Sequence, residues 1–256
     1  MVRDVNILDR LKAEIADKTA RRFHHRLPLI HIRELLSLYR INLVVDVGAN
    51  VGQFGKRIRR LGYDGAIHSF EPVKQSFNEL TQVARSDHKW YVHNFGLGES
   101  RSSALINVSQ MSVFSSLLPL NRYASELFSG ESRVNHQEQV EIDTLDNFLA
   151  SEILKSGTNA FLKMDTQGYD LNVFAGARKC LPNVSCVLSE ISFVPIYEGM
   201  PHFLESLQIY ENNGFSVSGL YIVSRNERDL SLVEMDCMLV NRARLSALAR
   251  SVPEEG

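Results

Sequence analysis

The sequence predicts an α/β protein built on a mostly parallel, seven-stranded sheet with helices on both faces, preceded by an N-terminal helical extension. From residue 42 onward, short apolar runs alternate with helical stretches, which is typical of βα units and a parallel sheet. A glycine-rich turn follows the first run, and a polar turn at 224–229 separates the last two, which predicts a closing hairpin. With 256 residues, 44% of them hydrophobic, the chain can bury one large core. We expect a helical extension over 1–41 and one α/β domain over 42–256.

The individual elements follow from apolar spacing and turn residues. The seven predicted strands are 43–47, 66–70, 90–95, 160–164, 186–188, 215–223 and 235–240. The predicted helices are 6–20, 29–39, 52–61, 73–84, 169–179 and 202–213, with a shorter one that ends near Leu149 and is capped by Asp143 or Thr144. The Ser-rich region after Gly98 fits either a lid or substrate loop or a small antiparallel addition to the sheet.

Composition excludes several classes of protein. A net charge of −2 and a pI near 6.5 give no general attraction to phosphate backbones, so nucleic acid is not an expected partner. The three cysteines form neither a disulfide framework nor a zinc cage, and we expect them to be reduced core residues. There is no signal-peptide pattern and no transmembrane run, so we expect a cytoplasmic protein. The basic segment 21–26 is either a solvated connector or a weak contact with a phosphate or membrane surface.

The most informative stretch is the turn where the first strand gives way to the first helix. Gly48 and Gly52 let the backbone turn tightly and approach a ligand, and the helix start offers N–H groups to an anion. Glu71 ends the second strand nineteen residues after Gly52, the spacing at which such folds place a carboxylate on ribose hydroxyls. These residues predict a nucleoside-containing ligand, although Glu71 could instead cap the helix that begins at Pro72.

Two nucleoside ligands fit this pattern, a dinucleotide and S-adenosylmethionine. The dinucleotide pattern requires a second glycine where this chain has Asn50, and a side chain there would obstruct a pyrophosphate. Asp46 would repel a diphosphate, whereas it suits an ammonium group such as that of the methionine end of S-adenosylmethionine. The turn therefore favours S-adenosylmethionine.

Five motifs occur in order along the chain. They are Asp-Val-Gly-Ala-Asn-Val-Gly at 46–52, Phe-Glu-Pro at 70–72, His-Asn-Phe-Gly-Leu-Gly at 93–98, Thr-Leu-Asp at 144–146 and Leu-Lys-Met-Asp-Thr-Gln-Gly-Tyr-Asp at 162–170. This set resembles the FkbM-type methyltransferases, which transfer methyl groups from S-adenosylmethionine mainly to hydroxyl oxygens, and it spans roughly residues 42–195. The chain departs from the family in having Gln167 and Asp170 where glutamates are common. The resemblance implies a Rossmann-like class I methyltransferase fold.

The resemblance also implies roles for individual residues. Asp46, Gly48, Asn50 and Gly52 would hold the methionine part of the cofactor, Glu71 the ribose, and Asn94 the region near the adenine. For Asn94, a turn residue with a left-handed backbone angle is an equal alternative.

Asp165 and Glu190 end the fourth and fifth predicted strands, so both carboxylates should lie at the edge where open α/β sheets bind ligands. One of them could act as general base, or both could hold magnesium or manganese, and we assign no metal. Asp165 could instead pair with Lys163 or cap the following helix. His93 and His202 are further candidates for the base.

The sequence therefore predicts an S-adenosylmethionine-dependent O-methyltransferase that acts on a small-molecule or glycolipid hydroxyl. The preference for a sugar comes from the resemblance, and another polar secondary metabolite fits equally. The segments 111–123 and 193–202 could wall the acceptor pocket. A nicotinamide-dependent oxidoreductase and a non-catalytic nucleoside-binding protein are the alternatives.

Overall fold

The computed structural model describes residues 27–110, 112, 115–127, 134–152 and 157–249. The predicted helix at 6–20 and the basic segment 21–26 lie outside the described residues. The described strands are β1 (Leu43–Val47), β2 (Ala66–Phe70), β3 (Trp90–His93), β4 (Gly96–Leu97), β5 (Ser102–Ser109), β6 (Val134–Asp143), β7 (Ala160–Met164), β8 (Val184–Ser192), β9 (Phe215–Arg225) and β10 (Leu232–Asn241). The described helices are α1 (27–38), α2 (Gln53–Arg60), α3 (Lys74–Ala84), α4 (Arg122–Leu127), α5 (Leu145–Glu152), α6 (Asp170–Ala175), α7 (Phe203–Asn212) and α8 (Arg242–Ala249).

The main sheet confirms the predicted fold class. Its seven strands run in the order β3-β2-β1-β7-β8-β10-β9, and only β10 is antiparallel to its neighbours. The chain leaves β1 towards β2 on one side and later returns to β7 on the other, so the strand order reverses beside β1. Ligands of open α/β sheets bind at the carboxyl ends of the strands at such a point.

Helices cover both faces of this sheet because residues along each strand alternate between the two faces. Val45 and Leu162 belong to a core that also contains side chains from α5, α6 and α7. Val44 and Phe161 belong to a second core with side chains from α1, α2 and α3. All five residues of β1 and of β7 are buried, as expected for central strands covered on both faces.

The Ser-rich region after Gly98 contributes to a separate, three-stranded sheet in the order β4-β6-β5. This corrects the expectation that such an addition would extend the main sheet. The short apolar run at 140–142 is only the end of β6, because the first half of this strand is mostly polar and exposed. Ser115, Ser116 and Leu117 nevertheless reach the cavity described below, which the lid alternative requires.

Several element ends differ from the predictions. Strand β8 is longer than the predicted 186–188, helix α6 ends at Ala175 instead of 179, and α8 was not predicted. Thr144 caps α5, since its Oγ1 accepts the Asn147 N–H at 3.0 Å.

All three cysteines are free and buried. Among the described helices, none has the length and apolar character needed to span a membrane.

Candidate functional site

A cavity of about 440 Å³ lies at the carboxyl ends of the central strands, within the range of roughly 300–1,000 Å³ typical of small-molecule sites. The loop after β1 and the end of β2 form one side. The loop after β7, the end of β8 and the β9–β10 hairpin form the other, and the segment 115–117 contributes to the wall. The predicted site residues Gly48, Asn50, Glu71, Asp165 and Glu190 all line it.

The two glycines of the first turn serve packing within the protein. Gly48 has a φ of +71°, and a Cβ there would collide with the Asp165 carbonyl oxygen. Gly52 has a φ of +83°, and its Cβ would lie 2.9 Å from Leu80 Cδ1. Gly48 lines the cavity, but Gly52 is not among the lining residues, so Gly52 shapes the loop from behind.

Most N–H groups of this turn are already bonded within the protein. The N–H groups of Gly48 and Ala49 both donate to the Phe70 carbonyl, at 3.1 and 3.0 Å. The Asn50 N–H donates to Glu71 Oε2 at 2.8 Å. These three N–H groups are therefore not available to an anion. The N–H groups that the sequence predicts to be free belong to the start of α2, which begins at Gln53, and that expectation stays a prediction. A diphosphate placed at Gly48, Ala49 and Asn50 would find their donors taken, which agrees with the argument against a dinucleotide.

Asp46 is fully buried and does not line the cavity. Its Oδ1 forms an ion pair with Lys163 Nζ at 3.1 Å, and its Oδ2 accepts a hydrogen bond from Ser69 Oγ at 3.0 Å. A direct contact between Asp46 and the cofactor's ammonium group, as the sequence suggested, does not fit this arrangement. Asp46 instead fixes the position of Lys163.

Lys163 holds the first turn against β7. Its Nζ donates to the carbonyl oxygens of Gly48 at 3.0 Å and Val47 at 3.3 Å. Burial alone would lower the pKa of Lys163. The nearby carboxylates of Asp46 and Asp165 raise this pKa by more than burial lowers it, so the amine stays charged. This role was not predicted, although a lysine within the apolar run Phe161 to Met164 is a usable signal for it, because lysine is rarely buried without a partner.

Glu71 is 6% exposed and accepts two backbone N–H groups, from Asn50 and, at 2.9 Å, from Val73. Burial raises the pKa of Glu71 to about 7, against the opposing effect of these hydrogen bonds. The bond to Val73, the residue before α3, supports the capping alternative, and Glu71 also lines the cavity, where a ligand can reach it. Asn50 Oδ1 is buried with no hydrogen-bond partner among the described residues, which leaves an acceptor for a ligand donor.

Asn94 lies behind the site. Its Nδ2 donates to the carbonyl oxygens of Glu71 and Pro72, both at 3.0 Å, and Asn94 is not among the residues lining the cavity. Its backbone angle is not left-handed, so that alternative is wrong. Asn94 therefore fixes the backbone that carries Glu71.

Gln167 joins the two predicted catalytic carboxylates. Its Nε2 lies 3.1 Å from Asp165 Oδ1 and 3.3 Å from Glu190 Oε2, and donates to both. Its Oε1 accepts the Tyr197 hydroxyl at 2.9 Å. The Asp165 side chain is 48% exposed, and its Oδ2 lies 3.5 Å from Lys163 Nζ, so the pairing alternative for Asp165 is also present. The helix-capping alternative for Asp165 is wrong, because α6 begins at Asp170, its N-cap residue is Tyr169, and the described residues show no side-chain capping bond there.

Strand β10 adds two cavity carboxylates, Glu234 and Asp236, that were not predicted as site residues. Glu234 lies outside the predicted strand 235–240, and Asp236 lies inside it but was not predicted to face the cavity. Burial raises the pKa of Glu234 to about 7 and that of Asp236 to about 6. Burial, together with the neighbouring carboxylates, also raises the pKa of Glu190 well above its ordinary value. No three His, Cys, Asp or Glu side chains within the described ranges converge to hold a metal.

The histidine candidates lie outside the cavity lining. His93 stacks on Phe70 at 4.7 Å between centroids, and its Nε2 lies 3.1 Å from His68 Nδ1. Burial lowers the pKa of His93 to about 4. His202 precedes α7 and forms a bridge with Ser192 at the end of β8, but it is not among the residues that line the cavity. Neither is placed to accept a proton from a ligand in the cavity.

Comparison with known proteins identifies the family. Residues 46–217, about two thirds of the chain, match the model of the methyltransferase FkbM domain. The chain belongs to the FkbM methyltransferase family. A similar curated protein is Methyltransferase 1 of Beauveria bassiana (strain ARSEF 2860), which is 26% identical over 196 residues, covering 69% of this chain and 73% of that protein.

Similar solved structures include magnesium protoporphyrin IX methyltransferase from Synechocystis PCC 6803 with bound SAM, 10% identical over 86% of this chain and 81% of that chain (TM-score 0.45). Another is Aeropyrum pernix fibrillarin with natively bound S-adenosyl-L-methionine, 9% identical over 84% of this chain and 74% of that chain (TM-score 0.45). The family assignment rests on the FkbM match.

The cofactor of this FkbM methyltransferase is S-adenosylmethionine, and the residues present fit it. The buried Glu71 carboxylate suits ribose hydroxyls, which are hydrogen-bond donors. The unpaired Asn50 Oδ1 offers a further acceptor on the same side of the cavity. Both groups match a ligand rich in donors and poor in negative charge.

Replacing Glu71 with alanine should weaken binding of S-adenosylhomocysteine by roughly 10- to 100-fold, or about 1.4–2.7 kcal/mol. The wild-type affinity should also fall as the pH drops through about 7, because the protonated carboxyl is a poorer acceptor for ribose hydroxyls. Isothermal titration calorimetry between pH 6 and 8 measures both effects. Glu79→Ala, an exposed change on α3, is the matched control, and unchanged affinity in Glu71→Ala would remove the ribose assignment.

Proposed function

We propose that this FkbM methyltransferase methylates a hydroxyl oxygen of a small polar acceptor, such as a sugar, a glycolipid-linked sugar or another polar secondary metabolite. The observation that carries the proposal is the position of the Asp165 carboxylate. It is half exposed in the cavity, held by Gln167 and Lys163, and directly follows the strand that packs against Gly48. A hydroxyl acceptor must lose its proton, and a fixed carboxylate beside the cofactor loop can accept that proton.

The cavity has two sides, one for the cofactor and one for the acceptor. We assign the side of β1 and β2 to the cofactor, with Gly48 and Asn50 at the methionine part and Glu71 at the ribose. Asp46 and Gly52 affect cofactor binding indirectly. Asp46 fixes Lys163, which holds the first turn, and Gly52 sets the shape of that turn. The opposite side, formed by β8 and the β9–β10 hairpin, is left for the acceptor.

When bound, S-adenosylmethionine supplies a methyl group on a positively charged sulfur. The chain's own contribution is to orient the acceptor and to remove its proton. Asp165 would accept the hydroxyl proton at a carboxylate oxygen while the acceptor oxygen takes the methyl group, whose bond to the cofactor's sulfur would break with the electron pair left on sulfur. Gln167 keeps Asp165 and Glu190 at a fixed separation, so the acceptor meets a rigid pair of carboxylates.

The test is to incubate the protein with cofactor labelled with ¹³C in the methyl group and an extract of its own organism. Carbon NMR of the labelled product distinguishes methyl on oxygen from methyl on nitrogen, and mild alkali separates an ether from an ester. We expect an alkali-stable O-methyl group. An N-methyl or an alkali-labile product would contradict the proposal.

The same incubation and a thermal-shift measurement address the two alternatives. A non-catalytic nucleoside-binding protein would bind S-adenosylhomocysteine and give no labelled product. A nicotinamide-dependent oxidoreductase would be stabilised against heat by NAD and not by S-adenosylhomocysteine. The family match favours methyl transfer.

A further inference from the structure

The acceptor side of the cavity carries an unusual concentration of carboxylates on adjacent strands. In the β8–β10 pair, Asp236 lies opposite Glu190, and Glu234 lies opposite Ser192. Residues two apart in a strand, and residues directly opposite across a pair, point to the same face. Glu190, Glu234 and Asp236 therefore form one patch, and all three line the cavity. We call these three residues the acidic patch.

Glu234 lacks a partner that its burial requires. The residue is only 6% exposed, and its Oε2 accepts the Ser224 hydroxyl at 2.9 Å. Its Oε1 is buried with no hydrogen-bond partner among the described residues. A buried acceptor without a hydrogen bond is unfavourable, so a donor from a ligand would be strongly favoured.

The nearby cations do not neutralise the acidic patch. Arg57 on α2 lines the cavity, but it is exposed to solvent. Lys163 is already paired with Asp46 and hydrogen-bonded to the first turn. Asp165, on the neighbouring strand end, adds to the negative charge. The patch therefore has more acceptors than the described part of the protein supplies with donors.

We propose that the acidic patch is an ammonium subsite, so that the acceptor carries a protonated amino group as well as the hydroxyl that is methylated, as in an amino sugar or an amino alcohol. This inference rests on the proposed O-methyl transfer. An ammonium group offers three donors and one positive charge. It can satisfy Glu234 Oε1 while it lies beside the carboxylates of Glu190 and Asp236.

The cofactor's own ammonium group is a competing occupant. The strand order places β10 four positions from β2, which carries Glu71, a distance of roughly 19 Å at about 4.8 Å per strand. The first turn and the end of β7 lie between them. The methionine end therefore has nearer acceptors, and the test below separates the two occupants.

The raised pKa values of the patch give the subsite a pH signature. Burial raises the pKa of Glu234 to about 7 and that of Asp236 to about 6, so part of the patch is protonated near neutral pH. A bound ammonium favours the ionised carboxylates, and its binding should therefore release protons. Arg57 and Lys163, which lower the pKa of Asp236, are the cations that face the patch. Acceptor affinity should rise between pH 6 and 8, as long as the acceptor amine stays protonated.

The first experiment measures the charge of the labelled product from the extract. We expect cation exchange at pH 7 to retain it, and N-acetylation to abolish the retention. An O-methyl product that is neutral or acidic would overturn the subsite while leaving the proposed function intact. If no O-methyl product forms, the proposed function fails and the subsite inference falls with it.

The second experiment uses Glu234→Gln, with Glu227→Gln in the exposed β9–β10 turn as matched control and thermal unfolding as a check on folding. With the acceptor isolated above, we expect Glu234→Gln to raise its KM at least 10-fold and to change kcat less than 3-fold. Acceptor binding by wild type should release protons, seen as a buffer-dependent heat in calorimetry, and the variant should release fewer. An unchanged KM would overturn the proposal, and so would an equal loss of S-adenosylhomocysteine affinity, which would assign the patch to the cofactor.

Discussion

Replacing Lys163 with methionine is expected to lower the free energy of unfolding by about 3–5 kcal/mol, the usual cost of leaving a buried charge without its partner. The variant keeps most of the side-chain volume but leaves the Asp46 carboxylate buried with only the Ser69 hydroxyl. It also removes the donor shared by the carbonyl oxygens of Val47 and Gly48. Urea unfolding, followed by circular dichroism, measures the change.

Two further variants separate the charge from the packing. Adding Asp46→Asn to Lys163→Met removes the unpaired charge, so the double variant should recover part of the lost stability. Lys179→Met, an exposed change after α6, should alter the free energy of unfolding by less than about 0.5 kcal/mol. If the free energy of unfolding of Lys163→Met lies within about 1 kcal/mol of the wild-type value, the buried pair does not hold the first turn.

The Asp165→Asn variant is expected to lower kcat by about 10²- to 10⁴-fold, the usual contribution of a general base. The amide is similar in size and can still contact Gln167, but it cannot accept the hydroxyl proton. S-adenosylhomocysteine affinity should change less than 3-fold. Single-turnover kinetics with labelled cofactor and saturating acceptor measures the chemical step directly.

The matched control for this variant is Asp64→Asn, an exposed change in the turn between α2 and β2, which should leave kcat unchanged. A higher pH should partly restore Asp165→Asn, because the acceptor hydroxyl then needs less help to lose its proton. If the variant instead binds S-adenosylhomocysteine weakly and turns over normally at saturating cofactor, Asp165 holds the cofactor and another group is the base.

The sequence by itself determined the fold class, and it correctly predicted that the first turn and Glu71 lie at the edge of the sheet where the cavity is found. The unit from β1 to Glu71 is encoded locally: an apolar run, a turn with Gly48 and Gly52, an amphipathic helix and a second run follow within 29 residues. The succession of strands and helices along the chain could be predicted in the same way, because strands that are buried on both faces of a parallel sheet must be apolar runs. Asp165 and Glu190 could be placed at one edge for the same reason.

Only the tertiary structure decided which polar groups meet. Sequence spacing put Asp46 next to the ligand, but the pairing of β1 with β7 buries it against Lys163, 117 residues later in the chain. Gln167 joins Asp165 to Glu190 through a backbone with a φ of +53°, which no apolar pattern encodes. Glu234 reaches the cavity because β10 inserts antiparallel between β8 and β9. Contacts of this kind depend on strand order and register, and local propensity does not carry that information.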